Sequence, residues 1–166
     1  MGYASALWLG FGEALAAVAG ALTGLLFVAV SVKSDALAAS RSLSSRAAQT
    51  LVLFMTSVLT AVLLVAPQPR AALGSELLAV AVVSGTILLI LDRRAGHHAD
   101  QAVARYVERF SPNLITAVLV GIAGVTLLAQ AGGGLYWLIP AAVASLFGGV
   151  ANAWLFLIKA GQPPLS

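Results

Sequence analysis

The segment "LWLGFGEALAAVAGALTGLLFVAVSV" (Leu7–Val32) contains one charged residue, Glu13, in an otherwise apolar run. A transmembrane helix needs about 20 consecutive, mostly apolar residues to cross a hydrocarbon core about 30 Å thick. This segment meets that requirement. It lacks a basic n-region and is too long for the core of a signal peptide, so we interpret it as a retained membrane helix.

The composition of the whole chain indicates the same environment. Of 166 residues, 60% are hydrophobic and 9% are charged, and the mean hydropathy is +0.99. A soluble domain has about 25% charged residues, so we expect residues 1–166 to form a single integral membrane domain. The net charge of +3 does not indicate nucleic-acid binding, because basic residues in membrane proteins usually report topology.

Helix-stop signals divide the chain into five predicted spans. Pro67 and Pro69 end the second span, because proline cannot continue a helix. Pro112 suits the first helical position of the fourth span, and "AGGG" (131–134) predicts a tight turn before the fifth. The predicted fold is therefore all-α, a polytopic bundle of five transmembrane helices at about residues 7–32, 47–66, 71–91, 113–130 and 135–158.

Shorter signals refine the ends of these helices. Ser34 or Asp35 can cap a short helix after the first span, and Ser44 or Ser45 can cap the second span. Pro140 is expected to bend the last helix near its start.

Basic residues set the expected orientation, because Lys and Arg are retained on the cytoplasmic side. With five spans, Arg70 alone falls on the other side, which places the N-terminus outside and the C-terminus in the cytoplasm. The residues expected on the cytoplasmic side are Lys33, Arg41, Arg46, Arg93, Arg94, Arg105, Arg109 and Lys159. An outer aromatic belt is expected from Tyr3, Trp8, Tyr136 and Trp137.

Residues 99–110, "ADQAVARYVERF", have apolar side chains at helical spacing and predict a cytoplasmic amphipathic helix. It would lie on the inner leaflet or pack beneath the bundle as a connector, and the pattern favours neither arrangement. The adjacent His97 and His98 diverge on a helix or strand. A weak site of His97 with Asp100 lacks a third ligand, so we expect a solvated loop and no metal.

Glu13 shares a helical face with Ala17, Gly20 and Gly24, roughly 8–10 Å inside the outer end of the first span. Gly20 and Gly24 form a GxxxG pair, a spacing that lets two helices approach closely in lipid. Ionisable groups within spans are costly, so we expect Glu13 to face protein or a wet cavity and to be functional. The alternative is a carboxyl that reaches the headgroups or bonds a neighbouring hydroxyl.

Glu76 lies about one and a half turns into the third span, at a depth similar to that of Glu13. If the two acids meet, mutual repulsion would favour a shared proton and a site for proton coupling or cation capture. If Arg70 reaches either acid, the result is a structural ion pair at the rim. The second arrangement is slightly favoured, because Arg70 has no other outer partner in the sequence.

Uncharged polar residues within the predicted spans are weaker candidates for functional groups than the two glutamates. Thr56 and Thr60 are spaced i, i+4, and hydroxyls of this kind usually bond their own backbone. Asn152, near the Gly148–Gly149 pair, is expected to bond across helices, since amides in lipid often do so. Lining of an ion pathway by these groups is the alternative.

"GALTGLLFVAVSV" (20–32) and "RAAQTLVLFMTSVLTAVLLVAPQPRAALGSELL" (46–78) resemble a group of small multi-pass membrane proteins from actinobacteria. The resemblance covers roughly the first three spans and implies a location in the bacterial inner membrane. The group has no assigned activity, so the resemblance supplies no functional residues.

The sequence thus predicts an oligomeric channel or transporter-like protein for a small ion, with Glu13 and Glu76 at the outer mouth of its pathway. A non-catalytic accessory or scaffold subunit of a larger membrane complex is the alternative. In that case the 99–110 helix is a docking handle, and the helix-packing contact surface consists of Gly20, Gly24, Gly148, Gly149 and Asn152. No nucleophile–base pair, metal motif or phosphate-binding loop is visible, so neither an enzyme nor a cofactor is expected.

Overall fold

The computed structural model describes residues 7–95 and 112–160, and every regular element within these ranges is helical. The elements are α1 (Leu9–Val32), α2 (Ser34–Ala39), α3 (Arg41–Val65), α4 (Arg70–Ala95), α5 (Pro112–Ala129), a 3₁₀ turn (Gly134–Trp137) and α6 (Leu138–Ala160). The predicted helix at 99–110, the histidines and Tyr3 lie outside the described residues.

Four of these segments are long and apolar enough to cross a membrane. They are α1, α3, α4 and the continuous stretch from the 3₁₀ turn into α6, whereas the apolar part of α5, Leu114–Ala129, is shorter. The chain is therefore an all-helical membrane protein with four candidate spanning helices.

The bundle is organised around α3, which packs against α1, α4 and α6, while α5 lies against α4 and α6. The spanning window of α3 is 50% buried, and that of α1 is only 22% buried. Helix α1 is thus the peripheral member of the bundle.

Glycines allow α4 and α5, the pair with the most extensive contact, to approach closely. A Cβ atom at Gly124 would lie 2.8 Å from the carbonyl oxygen of Gly74, and one at Gly74 would lie 2.8 Å from Leu128 Cγ. The sequence analysis did not single out this pair. It did predict packing at Gly148 and Gly149; both are buried, and a Cβ at Gly149 would collide with the Phe54 ring.

The helix ends follow local capping chemistry, with one correction. The Ser40 side chain accepts a hydrogen bond from the Leu43 amide, and α3 begins at Arg41, so the predicted cap at Ser44 or Ser45 was wrong. The short helix after α1 is confirmed as α2. Pro140 lies in the first turn of α6, where an amide has no intrahelical acceptor, so the proline removes no helical hydrogen bond.

One end of the bundle, which we call the Trp8 end, combines the start of α1, the α3–α4 turn and residues 130–137. The rings of Trp8 and Tyr136 meet edge-to-face with centroids 5.2 Å apart, and Trp137 Nε1 donates to the Gly132 carbonyl at 2.7 Å. Gly132 and its two following glycines have positive φ, which forms the tight turn predicted there. The opposite end, where α3 begins, is called the Gln49 end.

Substitution of Gly124 by Ala should destabilise the protein by about 1–3 kcal/mol, because the added methyl must separate the α4 and α5 backbones. The free energy of unfolding can be measured by denaturation with sodium dodecyl sulfate. Gly10→Ala is the matched control, since no atom lies within 4 Å of a Cβ at that position. Equal stability of the two variants would contradict the close contact.

Candidate functional site

Glu13 is exposed on the outward face of α1. Ala17, Gly20 and Gly24 on the same face are exposed too, and a Cβ at either glycine would meet nothing within 4 Å. Among residues 7–95 and 112–160, therefore, no other helix packs against the GxxxG pair, and the Glu13 side chain is exposed.

Glu76 occupies a different environment near the same end of the bundle. Its residue is partly buried, and its Oε2 atom is fully buried without a hydrogen-bond partner. Within the described ranges, Arg70 forms no ion pair with Glu13 or Glu76, so the favoured expectation of a rim ion pair was wrong.

Hydroxyl groups occupy the centre of the bundle. Thr56 Oγ1 donates to its own backbone at the Val52 carbonyl, 2.7 Å away, as expected for a hydroxyl in an apolar helix. Ser57 Oγ donates to Ser145 Oγ at 2.9 Å, and Ser145 Oγ donates to the Leu53 carbonyl at 2.7 Å. This chain of hydrogen bonds ties α3 to α6, and the sequence analysis did not predict it.

A small cavity lies beside these hydroxyls. Its volume is about 10 Å³, and its polar lining consists of Thr56, Ser57, Thr60 and Thr116. Thr60 is 4% exposed, and its Oγ1 atom has no hydrogen-bond partner. Since one water molecule needs about 10–15 Å³, Thr56 and Thr60 face a cavity far too small to conduct ions through a single chain.

The Gln49 end carries a second polar connection. Gln49 Nε2 donates to Asp92 Oδ1 at 2.6 Å, which joins α3 to α4, and the Gln49 side chain is almost completely buried. A hydrogen bond to a carboxylate is stronger than one between neutral groups. This hydrogen bond was not predicted from the sequence, although Gln49 precedes the buried Leu53 by one helical turn.

Asn152 is buried in the half of α6 closer to the Gln49 end. Its amide forms no hydrogen bond within the part of the chain that the structure describes. The predicted bond across helices is therefore not found among residues 7–95 and 112–160.

An apolar groove lies between α1, α3 and α6. It has a volume of about 210 Å³, and Leu26, Phe54 and Trp154 are among its lining residues. The groove is open at its surface and has almost no polar lining, so it offers no site for an ion.

Residues 7–95 and 112–160 contain no group of three or more metal-ligating side chains. The chain matches no family model, no curated protein and no solved structure. Three separate polar features therefore remain as candidates: Glu13, exposed on α1; Glu76, with its buried oxygen on α4; and the central hydroxyl cluster.

Replacing Ser145 with Ala should destabilise the bundle by about 1–3 kcal/mol, because Ser57 loses its acceptor in a buried position. Denaturation in detergent measures this change. Ser31→Ala is the control, since the exposed Ser31 bonds only its own helix at the Phe27 carbonyl. A loss no larger than that of the control would show that the contact between α3 and α6 does not depend on this hydrogen bond.

Proposed function

We propose that this protein is an oligomeric channel or transporter-like protein for a small ion, with Glu13 at the outer mouth of the pathway. One observation carries the proposal: Glu13 is exposed and unpaired on a face of small residues, on the least buried candidate span. A carboxylate facing acyl chains is destabilising, so this face needs water or a protein partner.

Assembly of several copies would give this face of α1 both a protein partner and a water-filled pathway. Small residues at positions 17, 20 and 24 let α1 helices of neighbouring copies approach, and each copy then contributes a carboxylate to a shared pathway. Rings of acidic side chains attract cations. The central cavity measures only about 10 Å³, which favours a pathway between copies over one that runs through this cavity. Glu76, with its unpartnered oxygen, is proposed as a further polar group near the mouth.

The proposed topology has five spans, with the N-terminus outside and the C-terminus in the cytoplasm of a bacterial inner membrane. Helix α5 has 18 residues and extends about 27 Å, close to the thickness of the hydrocarbon core. It also lies between α4 and α6, which are both candidate spans. The basic residues then collect on the cytoplasmic side.

The second candidate is an accessory or scaffold subunit of a larger membrane complex. The open space over Gly20 and Gly24 favours it, because a helix of another protein fits such a face as well as a second copy does. In this case α1 is a docking helix and Glu13 pairs with a polar group of the partner.

The topology predicts distinct labelling patterns for single cysteines, which are easily interpreted because the chain has no native cysteine. In intact spheroplasts, a membrane-impermeant maleimide should label Ala131→Cys, which the topology places outside. The same reagent should label Ala38→Cys, on the cytoplasmic side, only after the membrane is permeabilised. Both positions are exposed. Labelling of both without permeabilisation would contradict the proposed crossing of α5 or the orientation.

The proposed pathway predicts that Glu13→Gln reduces cation flux into liposomes at least tenfold, because the variant removes the charge at the mouth. Asp35→Asn is the control, since it removes a carboxylate from the short helix α2 and should leave flux unchanged. An equal loss in both variants would argue against a specific role for Glu13.

Cross-linking distinguishes the two candidates. Ala17→Cys on the exposed face should form disulfide-linked dimers, whereas Ala19→Cys, which is fully buried, should not. Dimers together with flux support the ion pathway. Absence of dimers and of flux, with a stoichiometric protein partner in the purified sample, would support the accessory role instead.

A further inference from the structure

We propose that the small cavity at the centre of the bundle binds one water molecule, held by Thr60, Thr56 and Ser57. The proposal concerns the interior of a single chain, so it is independent of the proposed ion pathway. It rests on the unpartnered Thr60 hydroxyl, on the neighbouring hydrogen bonds and on the size of the cavity.

The hydrogen bonds around the cavity identify the chemistry of the missing partner. A hydroxyl has one hydrogen to donate and two lone pairs that accept. Thr56 and Ser57 have already donated their hydrogens, to the Val52 carbonyl and to Ser145, so their oxygens retain acceptor capacity. Thr60 Oγ1 has a hydrogen with no acceptor.

The ligand must therefore accept a hydrogen bond from Thr60, and it can donate to the spare lone pairs of Thr56 and Ser57; water does both. A metal cation or an ammonium ion accepts no hydrogen bond, so either would leave the Thr60 hydrogen unpaired. An apolar ligand would leave the Thr60 hydroxyl unsatisfied. The inventory of donors and acceptors thus selects water over an ion.

The dimensions of the cavity agree with this choice. Its volume of about 10 Å³ is near the lower limit for one water molecule and excludes larger ligands. Buried waters in proteins typically make about three hydrogen bonds to polar groups that are otherwise unsatisfied. Here Thr60 is the unsatisfied group, and the spare lone pairs of Thr56 and Ser57 can supply the other two hydrogen bonds.

The position of the cavity gives the water a structural role. Residues of α1, α3, α5 and α6 all line it, so it lies where four helices meet. All three proposed partners belong to α3, the central helix. The water would complete the hydrogen bonding of α3 at the point where the other helices press against it.

Substitution of Thr60 tests the proposal, because a filled cavity and an empty one predict opposite signs. Val has nearly the same shape as Thr but lacks the hydroxyl. If water is bound, Thr60→Val removes one of its partners and lowers the thermal midpoint in detergent by a few degrees, while Thr60→Ser retains more of the wild-type midpoint. If the cavity is empty, Thr60→Val removes an unsatisfied buried hydroxyl and the midpoint stays the same or rises, which overturns the proposal.

Thr86→Val is the matched control, because the exposed Thr86 hydroxyl bonds only the Val82 carbonyl of its own helix. The shift in thermal midpoint caused by Thr86→Val should be small, and it is subtracted from the shift caused by Thr60→Val. A density map of the wild-type protein that resolves buried waters provides the second measurement. A peak about 2.5–3.0 Å from Thr60 Oγ1 supports the proposal, and an empty cavity in such a map overturns it even if Thr60→Val fails to fold.

Discussion

The close approach of the α4 and α5 backbones at Gly74 and Gly124 is the constraint on which the rest of the bundle depends. In lipid, burial of apolar side chains provides little drive for helix association, because acyl chains are as apolar as leucine. Helices must then gain stability from dense van der Waals contact, which requires small residues where the axes come together. The glycine contact holds α5 against α4, and α5 in turn packs against α6, so the helices that surround the hydroxyl cluster are positioned together.

Polar groups lie at the Gln49 end, in the centre and near the Trp8 end of the bundle, and their hydrogen bonding differs among the three regions. At the Gln49 end, an amide–carboxylate hydrogen bond joins α3 to α4. In the centre, serine and threonine hydroxyls bond to backbone carbonyls and to one another, and Thr60 alone lacks a partner among them. Near the Trp8 end, Glu13 is exposed and Glu76 has a buried oxygen without a partner, whereas Gln68 and Trp137 each donate to a backbone carbonyl.

Helix α1 differs from the other candidate spans in ways that bear on function. It packs mainly against α3, is the least buried span, and presents its glycine pair and its only carboxylate to the surroundings. The two cavities described above, one of about 10 Å³ and one lined almost entirely by apolar side chains, do not suit ion passage. We therefore propose that the exposed face of α1, in contact with a second copy of the chain, is where a transport activity would arise.

The sequence by itself determined the helical class, the approximate spans and most helix ends, because these depend on local chemistry: apolar length, proline as a helix stop and glycine in the turn after α5. The tertiary structure alone decided which glycines pack, which way Glu13 faces and where Arg70 lies relative to the acids. A helical wheel shows that Glu13, Gly20 and Gly24 share a face, but it does not show whether another helix covers it. In a globular protein, the apolar face of a helix marks the side that is buried. Helix α1 is apolar on nearly every side, so its sequence does not show which face is covered. Only the packing of α3 against the opposite face of α1 shows that the Glu13 face is exposed.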